Sequence, residues 1–473
     1  MEIRQSILVL LLPSYKSDPD GRGTITLLWS CTLTFGLCIW TAIHPDVVPW
    51  PGFWNKVVYK LAWMLCAILL PEFIVFCAAC QLMQARRIHQ HWNEAFKNFP
   101  AVKSWLGMSG AFFVVMGGFV IQEDPKPRTA SPPQEAGSND SSSSSEEKGS
   151  TITICPIGFL KLLEKKIVHE GIQKGNLTEA QFASRNIEDK GKADGIAKFL
   201  VMIQILWMVV QCIGRKITGL PVVLLEIHVL TQIFFSTISY LCWWNKPLDV
   251  GEPIALPLDR ARLSAAGIVA PKGFSPYPLL KTESTRQGTL TRMLYRMGDD
   301  FVGSFLVINK DDNFEISATI LGMISGGIHA AAWNTHFPTG IEQLLWRVAF
   351  IGIGSMPLLL CFLVYGLGGE VYVQWIFYEL QFIDKPIHHV VAAILHNAVE
   401  RRKPDGVPDE KNLGFSERIP LWARYLHLGV IWLIAFGYLF SVLYLTVESF
   451  VSVRSLPEGA YATLEWSDFF PHL

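Results

Sequence analysis

Apolar residues in this chain are gathered into long runs that polar segments separate. The clearest example is the central stretch of residues 195–244, in which two apolar arms, 196–213 and 222–244, flank a turn that contains Arg215 and Lys216. Each arm is close to the roughly 20 apolar residues that cross the hydrocarbon core of a bilayer. The pattern therefore predicts a membrane hairpin at the centre of the chain.

Five further runs have the same character, which gives about seven predicted transmembrane helices. The predicted spans are residues 25–43, 57–83, 196–213, 222–244, 316–333, 344–366 and 426–447. Pro71 lies near the middle of the second span and predicts a kink there, because proline removes a helical hydrogen bond. Residues 107–121 are apolar but only about 15 long, so they predict a re-entrant segment or, alternatively, an eighth crossing.

The polar stretches divide the chain into segments. An N-terminal membrane segment (1–121) precedes a low-complexity linker (122–150), whose serine, proline and charged residues predict disorder. The linker is followed by six further segments. They are a polar helical segment (151–195), the central hairpin (196–244), a soluble loop (245–315), a second membrane hairpin (316–366), amphipathic surface helices with a loop (367–424), and a last span with its tail (425–473). The predicted fold class is all-α, a polytopic helical membrane protein.

Composition supports a membrane protein and argues against several other classes. Half of the residues are hydrophobic and the mean hydropathy is +0.30, both high for a soluble chain of 473 residues. The formal net charge of −1 provides no basic signal for nucleic acid, so no nucleic-acid partner is expected. Eight of the nine cysteines lie in apolar runs, which is not the pattern of a secreted disulfide framework.

Lysine and arginine predict the orientation, because cytoplasmic loops carry more of these residues. The stretches after the second, fourth and sixth spans are basic, which places the N-terminus inside and the C-terminus outside. Residues 122–192 are then cytoplasmic, and the glycosylation sequon at Asn176 stays unmodified. Arg215 and Lys216 fall on the outer side, against the rule.

Four ionisable residues lie at predicted membrane depth and are the candidate catalytic or proton-binding residues: Glu72, Glu226, His228 and His329. Charged groups there are costly and usually have a partner or a function. One interpretation is a polar pocket whose protonated carboxyl acts as an acid. The other is hydrogen bonding between helices, for example from Glu226 to Gln204 or Gln211, in which case Glu226→Gln is tolerated. Glu226 and His228, two apart on a helix, must face different sides.

A second set, His389, His396 and Glu400, shares one helical face and is a candidate for a metal site. The neighbouring apolar residues describe an ordinary amphipathic surface helix equally well. No phosphate-binding loop, dinucleotide fingerprint or nucleophile elbow occurs in the sequence, so no cofactor is predicted.

Several motifs resemble those of a large family of uncharacterised fungal multi-span membrane proteins. The motifs begin at Arg22 (RGT), Trp29 (WSC), Cys38 (CIWTAIH), Met116 (MGGF), Gly219 (GLP), Trp243 (WWNKP), His329 (HAAAW), Phe337 (FPT), Leu345 (LWR) and Phe470 (FPH). The resemblance covers most of the chain outside the low-complexity linker and implies a topology, not an activity. In similar proteins a histidine often precedes the MGGF motif, and this chain has none there.

Three functions stay open from the sequence. The first is binding, movement or sensing of a small lipophilic molecule or a proton through a polar intramembrane pocket. The second is a membrane-embedded enzyme acting on an isoprenoid or acyl substrate in fungal specialised metabolism. The third is a scaffold that recruits partners through its cytoplasmic loop. The bilayer, of an endomembrane or the plasma membrane, is the one partner common to all three, and the sequence does not determine the oligomeric state.

Overall fold

Helices dominate the computed structural model, which describes residues 16, 22–47, 53–122, 151–182, 194–248, 250, 253–258, 263, 280–282, 314–363 and 421–464. The helices are α1 (Thr24–Ala42), α2 (Phe53–Leu69), α3 (Pro71–Ala95), α4 (Pro100–Lys103), α5 (Met108–Val115), α6 (Pro156–Glu164), α7 (Ile167–Gln173), α8 (Glu179–Phe182), α9 (Asp194–Ile217), α10 (Leu224–Cys242), α11 (Phe314–Ala330), α12 (Gly340–Cys361) and α13 (Leu421–Val451). Two 3₁₀ turns, Ser452–Arg454 and Glu458–Tyr461, follow α13. The prediction of a mainly helical chain is confirmed.

Three helices in the described residues are long and apolar enough to cross a membrane. They are α1, α10 and the part of α13 that continues to Arg454. The pair α2–α3 would be a fourth if it formed one span, but the chain bends by 116° between its two helices. The membrane character of the chain is therefore supported, whereas the predicted number of seven spans is not confirmed.

The bend between α2 and α3 is much larger than the kink predicted at Pro71. Leu70 has a non-helical backbone (φ −139°, ψ 62°), and Pro71 is the first residue of α3. Proline disfavours a helical conformation in the residue before it and suits the first turn of a new helix. The predicted continuous span of residues 57–83 is thus two separate helices.

A four-stranded sheet is the main departure from the predicted all-α fold. Its strands are β1 (Phe119–Gln122), β2 (Thr151–Ile154), β3 (Ile254–Leu256) and β4 (Leu280–Thr282), in the order β3-β1-β2-β4. β1 pairs parallel with β3 and antiparallel with β2, and β2 pairs antiparallel with β4. The expected polar helical segment and soluble loop both contribute strands to this sheet.

The sheet also corrects the interpretation of residues 107–121. That segment forms the short helix α5 and then strand β1, so it is neither a re-entrant membrane segment nor an eighth crossing. Phe119, Val120 and Ile121 are all buried. A strand buried on both faces has the same continuous apolar composition as a membrane helix, which explains why composition alone was misleading.

Ion pairs at both ends show that α1 and α10 run parallel. Near their N-termini Arg22 binds Glu226, and beyond their C-termini Lys246 Nζ lies 2.7 Å from Asp46 Oδ1. We call the first end, with the α9–α10 turn and the 3₁₀ turns after α13, the tail face. The other end is the sheet face, because Val47 and β3 meet the segment around β1 there.

The remaining long helices can be placed relative to these two faces. α9 and α13 run toward the tail face, where the Arg215 guanidinium donates to the backbone carbonyls of Pro221, Gly459, Ala460 and Ala462. α11 also ends there, and α12 starts there, since Arg454 binds Glu342. Both helices of the α2–α3 pair contact residues near the sheet face: Lys60 of α2 stacks on Trp40, and Gln81 of α3 contacts Lys246.

Two glycines allow α11 and α12 to approach closely. A Cβ atom built on Gly326 would lie 2.8 Å from the Phe350 carbonyl oxygen, and one on Gly322 would lie 2.9 Å from Pro357 Cγ. The spacing of Gly322 and Gly326 is the small-xxx-small pattern of tightly packed membrane helices. This contact holds α11 against α12 beside the ionisable residues described next.

Candidate functional site

Glu72 lies in the first turn of α3, directly after the α2–α3 bend, and is buried inside the bundle. The Tyr438 hydroxyl of α13 donates to Glu72 Oε2 at 3.1 Å, and the Ser325 hydroxyl of α11 also donates to this carboxyl group. No cation pairs with Glu72 among the described residues. This carboxyl group is therefore held by neutral donors from two other helices.

His228 of α10 and His329 of α11 form a buried pair, with 3.2 Å between His228 Nδ1 and His329 Nε2. His329 Nδ1 lies 2.9 Å from the backbone carbonyl oxygen of Ser325. A carbonyl only accepts, so His329 Nδ1 carries the hydrogen and, in the neutral ring, Nε2 accepts. His228 must then donate through Nδ1, which leaves its Nε2 as an acceptor.

That acceptor, His228 Nε2, is buried and has no hydrogen-bond partner in the described part of the chain. The ring itself is fixed, because Phe35 stacks on it with 5.6 Å between ring centroids. Trp346 packs beside His329 with its ring tilted, at 5.7 Å between ring centroids. A proton added to this pair would go to His228 Nε2, the one ring nitrogen with a free lone pair.

Glu72, His228 and His329 line one small cavity, together with Ser325 and Gln232. The space available to the centre of a water molecule is about 20 Å³. A cavity needs about 10–15 Å³ by this measure to hold one water molecule. The cavity thus has room for about one water molecule among polar side chains, and it is too small for an acyl or isoprenoid chain.

Three of the four predicted residues are therefore brought together, and Glu226 is not. Glu226 is fully buried two residues before His228, and it faces the other side of α10, as the helical period requires. Its carboxylate binds Arg22 and accepts the Val223 backbone N–H at 2.9 Å. The expected partners were wrong: Gln204 donates instead to the Thr34 hydroxyl, and no hydrogen bond joins Gln211 to Glu226 among the described residues.

A second buried polar cluster at the sheet face was not predicted. Lys246 Nζ donates to Asp46 Oδ1 and to Gln81 Oε1, each at 2.7 Å. The indole N–H of Trp243 also donates to Gln81 Oε1, at 2.9 Å. The sequence indicates an interfacial anchor for the lysine after the paired tryptophans, and only the fold shows that it is paired inside the protein.

The metal candidates cannot be placed. His389, His396 and Glu400 lie outside the described residues. Within the part that the structure describes, no three histidine, cysteine, aspartate or glutamate side chains converge as metal ligands. The geometry of Glu72 and the histidine pair instead suits the binding of a proton.

Comparisons with known proteins add one finding. A family model described as a family of unknown function (DUF8562) matches residues 12–265 and 386–473, well over half of the chain. No curated protein and no solved structure matches significantly. The match covers Glu72, Glu226 and His228, whereas Ser325 and His329 lie between the two matched ranges.

Proposed function

This chain belongs to the family of unknown function DUF8562, and from that premise we propose that it is a multi-pass membrane protein that holds an exchangeable proton inside its helix bundle, at Glu72 and the His228–His329 pair. The observation that carries the proposal is the absence of a counter-ion for Glu72 among the described residues. The carboxylates of Glu226, Asp46 and Glu342 each pair with a cation.

Burial makes an ionised carboxylate at Glu72 costly. An ionised carboxylate without a counter-ion is expensive inside a protein, and more so at membrane depth. Neutral donors such as Tyr438 and Ser325 can orient a carboxyl group without neutralising it. His228 Nε2, on the wall of the same cavity, supplies an acceptor to which a water molecule could relay a proton. The cavity volume limits the proposal to a proton and excludes a lipophilic substrate at this position.

Infrared difference spectroscopy tests the proton at Glu72. With the protein in lipid nanodiscs, lowering the pH should produce the carbonyl band of a protonated carboxylic acid. Glu72→Gln should abolish this band. Tyr438→Phe should move the band to higher frequency, because the carbonyl loses a hydrogen bond. Glu342→Gln, which removes a carboxylate paired with Arg454, is the matched control and should leave the band unchanged. A spectrum in which no carboxylic acid band depends on Glu72 would refute the proposal.

The same proposal includes a topology. α1, α9, α10, α11, α12 and α13 each connect the two faces, and we assign them as six crossings, with α2–α3 as a re-entrant hairpin that enters and leaves at the sheet face. Exposed basic residues cluster at the sheet face, among them Arg86, Arg87, Lys97 and Lys174. At the tail face Lys216 is exposed, whereas Arg215 and Arg454 have internal partners. The positive-inside rule then makes the sheet face cytoplasmic and puts both termini outside.

Glycosylation mapping tests this topology. Asn176 is exposed in the turn after α7, so its sequon is accessible, and we expect it to remain unmodified because it faces the cytoplasm. A sequon appended after Leu473 should be modified in the same cells. An endoglycosidase-sensitive mass shift that disappears in Asn176→Gln would reverse the orientation, and an unmodified C-terminal sequon would favour an odd number of crossings.

A further inference from the structure

A second, much larger cavity opens at the tail face, away from Glu72. Its volume is about 720 Å³, within the range of roughly 300–1,000 Å³ typical of small-molecule sites. Its walls are formed by α9, the α9–α10 turn, α10, the α11–α12 loop and the segment after α13. We propose that this tail-face pocket binds a single-chain amphiphile with an anionic head group.

The polar groups of the pocket lie at its outer end. Lys216 is exposed at the last turn of α9, and Asn334, Thr335 and His336 come from the α11–α12 loop. Neither Lys216 nor His336 has a partner among the described residues, and no described lining residue is a carboxylate. Arg215, beside Lys216, is different because backbone carbonyls surround it. The rim thus offers an exposed cation, Lys216, to an anionic group.

The deeper walls are apolar and run along the helices into the bundle. On α9 the lining continues from Lys216 through Ile213 to Val209, about 10 Å along the axis at 1.5 Å per residue. On α10 it continues through Ile227 to Leu230. A ligand with its charge at Lys216 would therefore place its chain beside apolar side chains at membrane depth. This geometry matches a molecule with one apolar chain and one anionic head.

A carboxylate and a phosphate would satisfy the rim equally well. The experiment therefore uses the protein in phosphatidylcholine nanodiscs with a diazirine-bearing fatty acid, competed by oleate, by lysophosphatidate or by methyl oleate. Labelled peptides should map to α9 and α10. Both anionic competitors should reduce labelling, and the neutral ester should compete at least about tenfold more weakly, since a charge-assisted hydrogen bond is lost. The relative strength of the two anions identifies the head group.

Two variants test the two halves of the pocket. Lys216→Gln should weaken binding about tenfold, with Lys174→Gln, an exposed lysine on the opposite face, as its control. Ala331→Trp, at an exposed lining position, should fill the cavity and abolish labelling, with Ala101→Trp at the sheet face as its control. Equal competition by methyl oleate, or labelling unaffected by both Lys216→Gln and Ala331→Trp, would overturn the inference and indicate ordinary bilayer lipid.

Discussion

Replacing Glu226 by glutamine should lower the free energy of unfolding by about 3–5 kcal/mol, which is the loss typical of removing one partner from a buried ion pair. The sequence alone favoured the opposite result, since glutamine preserves shape and hydrogen bonding. The structure changes the expectation because Glu226 is fully buried against Arg22, whose own side chain is only 15% exposed. Glutamine can still accept the Val223 N–H, so the variant isolates the effect of the charge.

The physical reason is the cation that remains. Arg22 would keep its charge with no other carboxylate paired to it among the described residues, and one of its guanidinium nitrogens, Nη1, already has no partner there. The double variant Arg22→Gln, Glu226→Gln removes both charges and should recover most of the lost stability. A double-mutant cycle measured by reversible unfolding in bicelles gives the coupling directly.

The pair of Glu342 and Arg454 provides the control. It also joins helix ends at the tail face, but its side chains are 19% and 34% exposed. Solvent screening should limit the cost of Glu342→Gln to about 1 kcal/mol or less. If Glu226→Gln were no more costly than Glu342→Gln, the buried pair would not stabilise the junction between α1 and α10.

Substitution of Gly326 should have the second largest effect on stability. Gly326→Leu places a side chain against the Phe350 carbonyl oxygen, which a Cβ atom alone would approach to 2.8 Å. This oxygen belongs to the backbone of α12, which cannot change rotamer as a side chain can. The two helices α11 and α12 must therefore move apart to accommodate the leucine. Overpacking of this kind costs about 1–3 kcal/mol and occasionally more.

Gly327 is the matched control for that prediction, because it is the next residue of the same helix and nothing lies within 4 Å of the position that a Cβ atom would take there. Gly327→Leu should be neutral or stabilising, since glycine is a poor helix former. Thermal unfolding of both variants in the same detergent measures the difference. Equal destabilisation of the two variants would show that the close approach of α11 to α12 at Gly326 does not determine the result.

The helical period was the most reliable guide to the candidate site. It placed Glu226 and His228 on different sides of one helix, and the structure has Glu226 against Arg22 and His228 against His329. The period is a local property of about four residues, so it can be read without knowing the fold. The partner of Glu226 could not be found in this way, because Arg22 is 204 positions distant along the chain.

Composition, by contrast, could not distinguish between buried structures. Phe119–Gln122 has the apolar character of a membrane segment, yet it is a strand that pairs with strands from two other parts of the chain. The apolar stretch around Pro71 predicts one kinked span, but it forms two helices with a bend of 116° between them. Membrane helices, re-entrant helices and buried strands all exclude water, and the amino-acid composition records only that exclusion.

Local periodicity and hydropathy are properties of the sequence, so they were enough to predict the apolar runs, the helical character of the chain and the opposite faces of Glu226 and His228. Which groups meet became clear from the folded chain alone. It joined Glu72 to Tyr438, His228 to His329, and Lys246 to Asp46 across the helix bundle. Such contacts depend on how helices distant in sequence pack against one another, and no local pattern encodes that packing.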